Sequence, residues 1–176
     1  MPDPEMHDHD AESPNGHLSA DDLNGAQVGN IAYAAVLALL ADTATMLVPT
    51  TVQRRRGTAG RTRAAVELRR ILNELLDRAI TADRLDGATW QELAAALRLP
   101  DPDVAAIHYA HLDWPHLADD PRGAWEAFHR SCPEQLHDFC PTDPAAAARH
   151  LDDWYYNHAD PRDPAPPPTR AVTAGL

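Results

Sequence analysis

The feature that most constrains the fold is one apolar run, Ile31-Ala-Tyr-Ala-Ala-Val-Leu-Ala-Leu-Leu-Ala-Asp-Thr-Ala-Thr-Met-Leu-Val-Pro49. It approaches the ~20 residues needed to cross a bilayer. Asp42 lies near its middle, however, and an Asp at that depth costs about 2.5–3.5 kcal/mol. Alanine also supplies much of its length. The run therefore reads as a helix buried nearly all round, in a helical core or at an oligomer interface, with no membrane partner.

The following segment carries a helical period. Between Arg61 and Leu85, Leu68, Leu72, Leu75, Leu76 and Ala79 draw one apolar stripe, widened by Ile71 and Ile80. Arg69, Arg70, Glu74, Asp77 and Arg78 are expected on the opposite, solvent-facing side. Two more helices are expected at Pro121–Arg130 and Pro144–Asn157, the second capped by Asp143 with proline at its first position. No alternating Val/Ile/Thr run reaches strand length. The reading is a small all-α domain over residues 26–158, flanked by an acidic disordered tail (1–25) and a Pro-rich tail (159–176).

Residues 87–112 are the most informative. Thr89-Trp90-Gln91-Glu92 has the form of a capping box. Trp90, Leu93 and Leu97 then share one face, with Trp90 as its core anchor. After a break at Arg98-Leu99-Pro100, Asp101-Pro102-Asp103 is a second helix start. Val104, Ile107 and Leu112 are placed to pack back on the first helix. Two short helices behind a longer one make a helix-turn-helix-like unit.

Gly87-Ala88-Thr89-Trp90-Gln91-Glu92-Leu93-Ala94-Ala95-Ala96-Leu97 resembles the first half of the helix-turn-helix of many small actinobacterial DNA-binding proteins. The resemblance implies that fold, DNA association and a part in transcription regulation. It weakens where DNA would be read. Arg98 stands at the family's turn glycine, so it must take a left-handed conformation or reshape the turn. Pro100-Asp101-Pro102 replaces the family's Ser-Arg-Gln, and no Arg or Lys lies between Leu99 and Arg122. A carboxylate at the start of a recognition helix meets phosphates unfavourably and suits few base edges.

Charge narrows the alternatives. The net charge is −12, with every cation an arginine. Residues 1–27 carry −7 and residues 28–86 carry +3. An acidic chain approaches a polyanion only where its cations converge. Here that is Arg54, Arg55, Arg56, Arg61 and Arg63, so any DNA contact is expected to be phosphate-led through these five.

Cys132 and Cys140 are too few for a secreted disulfide scaffold, and the N-terminus lacks the pattern of an export signal. Both observations suggest reduced thiols in the cytoplasm. His129, Cys132, His137 and Cys140 have zinc-like spacing, but Pro133 and Pro141 follow the cysteines where knuckle glycines belong. They are read as surface histidines and part-buried thiols, with zinc binding as a minor alternative. No phosphate loop, nucleophile elbow or dinucleotide fingerprint occurs, so neither enzyme activity nor a cofactor is expected. The leading expectation is a non-enzymatic regulatory protein associated with DNA through its arginines. The rival is an acidic helical module, binding a protein partner or its own copy, that has lost DNA reading.

Overall fold

The structure, a computed structural model, describes residues 18–50, 59–132, 136, 138–159 and 171–176. The α-helices among them are α1 (Gly25–Thr50), α2 (Gly60–Leu85), α3 (Trp90–Ala96), α4 (Pro102–His108), α5 (Pro121–Arg130) and α6 (Pro144–His158). No strand occurs among the described residues, and the protein is all-α.

Local chemistry sets the helix starts. α4, α5 and α6 each begin with Asp followed by Pro. Asp101 accepts from the Asp103 amide at 2.8 Å, and Asp120 from the Gly123 amide at 2.9 Å. Asp143 accepts from the amides of Ala145 and Ala146 at 3.2 and 3.1 Å. Each carboxylate satisfies donors that the first helical turn cannot, while proline occupies a position where no donor is needed.

α1 and α2 form an antiparallel hairpin. A Cβ on Gly29 would sit 2.9 Å from Ala82 Cα, so glycine lets the two helices approach and sets their register. α5 and α6 lie across α1 on one side of this hairpin. The main core joins Val28, Ile31 and Val36 of α1 to Ile71 and Leu85 of α2, Trp125 and Phe128 of α5, and Leu151 of α6. Asp42, the acid inside the apolar run, fastens α6. Trp154 Nε1 donates to Asp42 Oδ1 at 3.1 Å, and His158 Nε2 lies 3.3 Å from it.

Several expectations need correction. α1 is not buried all round: Leu37, Met46 and Val48 are 40, 66 and 68% exposed. For Met46 and Val48 the reason is geometric, because α6 ends at His158 beside Asp42 and the last turns of α1 outrun it. By length and composition Gly25–Val48 suffices to span a bilayer, although 28% of its apolar window is buried within the chain.

On α2 the core face is also rotated from the expected stripe. Ile71, Arg78, Ala82 and Leu85 are buried, whereas Leu72 and Leu76 are 50 and 40% exposed. Arg78, expected in solvent, is 4% exposed. It can be buried because its guanidinium is paired. Its Nε donates to Glu74 at 2.7 Å, and its Nη2 donates to the Phe128 carbonyl at 3.2 Å and to Ser131 Oγ at 3.3 Å. The group also lies 4.8 Å from the Phe128 ring centroid.

Parts of both expected tails belong to the folded body. Leu23 is buried, Ser19 and Asp22 form a capping box, and Arg149 donates to the Leu18 carbonyl at 2.9 Å. At the other end, buried Asp152 accepts from the Val172 amide at 2.6 Å and from Thr173 Oγ1 at 2.6 Å. Val172 and Leu176 pack on the core, and Gln27 donates to the Leu176 carbonyl.

Candidate interaction surface of the helix pair

α3 and α4 sit at the C-terminal end of α2, over a second, smaller apolar cluster. Ile80, Leu93 and Leu112 are its buried members, with Trp90, Leu97 and Tyr109 packed around them. Both halves of the expected capping box are formed. Thr89 Oγ1 accepts from the Glu92 amide at 3.2 Å, and the Glu92 carboxylate accepts from the Thr89 amide at 2.7 Å. Those hydrogen bonds, the backbone one foremost, hold the Glu92 carboxyl below its ordinary range.

The turn resolves the problem posed by Arg98. It adopts φ +57°, in the left-handed region where the resembling family uses glycine. The Leu99 amide donates to the Ala94 carbonyl at 2.8 Å and the Arg98 amide to Ala95 at 3.2 Å. These are the paired bonds that close a helix on a left-handed residue, and they offset the strain of a side chain there.

Arg84 ties this unit to α2. Its Nε donates to Asp113 Oδ1 at 2.8 Å, its Nη1 donates to the Ala88 carbonyl, and its guanidinium lies 4.9 Å from the Trp90 ring centroid. Trp90 is thus half-buried under a cation and is not a fully enclosed anchor.

The outward face of α4 departs from expectation. Of the residues expected to pack inward, Leu112 is buried but Val104 and Ile107 are 47 and 79% exposed. Ala105 takes the inward position instead. The exposed surface therefore combines Asp101, Asp103, Val104, Ile107 and His108, two carboxylates beside two aliphatic side chains.

Arg61 and Arg63 are exposed on the first turn of α2. Ile80, beneath the helix pair, is about 26 Å further along the same axis. The described arginines of the expected cluster and the second helix consequently form no continuous face. Arg54, Arg55 and Arg56 lie outside the described residues, as does His137.

Of the other expected metal ligands, Cys132 and Cys140 share a thiol–thiol hydrogen bond. That bond lowers the pKa of Cys132, while the same bond and burial raise that of Cys140. Among the described residues no three His, Cys, Asp or Glu side chains converge as metal ligands. A cavity of about 230 Å³ beside Arg78 is lined by Glu74, Asp77, His111 and Ser131. Burial and the nearby Glu74 raise the pKa of Asp77 there. Arg78 itself is engaged by Glu74, Phe128 and Ser131, and Leu112, Trp114 and Phe128 also line the space.

No protein family model matches this chain, and neither a curated protein nor a solved structure is significantly similar to it.

Proposed function

We propose that this protein is a non-enzymatic, acidic helical interaction module whose α4 face docks a protein partner. The observation that carries this reading is the exposure of Val104 and Ile107 on the helix that Asp101 and Asp103 open, where a DNA-reading helix would present cations. Apolar side chains flanked by carboxylates suit a partner with an apolar pocket and a basic rim. They suit a phosphate backbone poorly, because each carboxylate near it adds repulsion. The rival reading is DNA association through Arg61, Arg63 and their sequence neighbours, which leaves α4 without a role.

A photo-crosslinking amino acid in place of Ile107 separates the two in living cells. The expected adduct is protein, nuclease-resistant, and lost when Val104→Arg is added. A nuclease-sensitive adduct, or duplex binding that Arg61→Gln and Arg63→Gln abolish, would establish the DNA reading instead.

A further inference from the structure

Among the described residues, the hairpin of α1 and α2 is covered on one side only. α5 and α6 lie against α1, and Arg78 of α2 points to Phe128 on that same side. Register and helical periodicity identify the opposite face. Because Gly29 meets Ala82, stepping along the antiparallel helices places Leu37 between the levels of Leu72 and Leu76. At 3.6 residues per turn, Leu37 on α1 and Leu72 on α2 lie about a quarter turn, and Leu76 about a third of a turn, from the line joining the helices, toward the uncovered side. Their exposures of 40, 50 and 40% agree with this placement.

Each helix carries a seam with alternating steps of three and four. On α2 the seam is Ala65, Arg69, Leu72, Leu76, Ala79 and Asp83. On α1 it is Asn30, Ala34, Leu37, Ala41 and Ala44. Such spacing is that of helices packed knobs-into-holes, and the small residues of α1 permit close approach.

The seam on α2 is also self-complementary. Arg69 and Asp83 lie equally far from Leu76, one on each side, and both are exposed. We propose that a second copy of this chain covers the face, antiparallel, with its two-fold axis at Leu76. Leu76 then meets Leu76 of the second copy, Arg69 meets Asp83, and Leu72 falls within one residue of Ala79. The level of Leu76 on α1 falls at Ala35, so the same axis sets Leu37 at the level of Tyr33, within one residue of Ala34 of the second copy. One axis serves both seams to within about a residue. The shared length is about 28 Å and the layer about 20 Å wide, so roughly 600 Å² of each copy is covered. That is toward the lower edge of stable interfaces, and the dimer is expected to dissociate on dilution. This face is separate from the α4 surface.

Sedimentation velocity on the full chain over about a hundredfold range of concentration tests the proposal. The expected result is a reversible monomer–dimer equilibrium. Leu76→Glu should raise the dissociation constant at least about tenfold, and Arg69→Asp or Asp83→Arg alone should weaken it similarly. The exchanged pair Arg69→Asp/Asp83→Arg should recover dimerisation, a result that general misfolding does not produce. Unchanged helical circular dichroism confirms that each variant folds. A wild-type monomer throughout, a dimer insensitive to Leu76→Glu, or failure of the exchanged pair to recover association would overturn it.

Discussion

The two apolar clusters are built differently, although α2 contributes to both. The main core draws on α1, α2, α5 and α6 and on the segment around Phe139. The cluster under α3 and α4 has three buried side chains and three leaning on it. Their arginines differ in the same sense. Arg78 is enclosed, with Glu74, Phe128 and Ser131 as partners, whereas Arg84 bridges to Asp113 with its side chain 16% exposed. The contrast teaches that the helix pair rests on a smaller apolar cluster than the bundle does. It is therefore expected to open locally while the bundle stays folded.

The largest effect should come from Arg78→Ala. It leaves the part-buried Glu74 carboxylate without its guanidinium partner and removes a donor from the Phe128 carbonyl and Ser131, and loses about 3 kcal/mol. Urea unfolding should show both regions destabilised together. A loss confined to α3 and α4 would break the comparison.

Trp90→Ala should cost about 2 kcal/mol, less than for a fully enclosed tryptophan because Trp90 is only partly buried. Hydrogen exchange should show amides of α3 and α4 losing protection while those of α1 and α6 keep theirs. Uniform loss would mean that the clusters unfold as one.

The smallest effect concerns the capping box. Thr89→Ala should cost about 1 kcal/mol at neutral pH by thermal denaturation. Glu92 adds a pH signature. Its folded pKa lies below the unfolded one, so its stabilisation is present above the ordinary carboxylate range and disappears as pH falls through the folded value. Glu92→Gln should therefore lower stability at neutral pH and converge with wild type in acid.

Features written in neighbouring residues were legible in the sequence. The capping box at Thr89, the Asp-Pro starts of α4 and α6, and the demand on Arg98 for a left-handed turn all depend on contacts within a few positions. The helical class followed from the same kind of local evidence.

Tertiary structure decided what depends on partners far along the chain. Apolar residues surround so much of α2 that periodicity alone did not select its core face. That choice rested on Phe128 and Ser131, which accept from Arg78 across fifty residues and make its burial affordable. Asp42 stood out in the apolar run by its charge alone, and its partners emerged only when Trp154 and His158 of α6 met it. Val104 and Ile107 have the spacing of core residues, yet Ala105 occupies the inward position and leaves them in solvent. Composition likewise assigned residues 18–24 and 171–176 to tails, because it carries no sign of Arg149 or Asp152 reaching to hold them. A local pattern specifies which atoms need partners; the three-dimensional packing determines which of them find one.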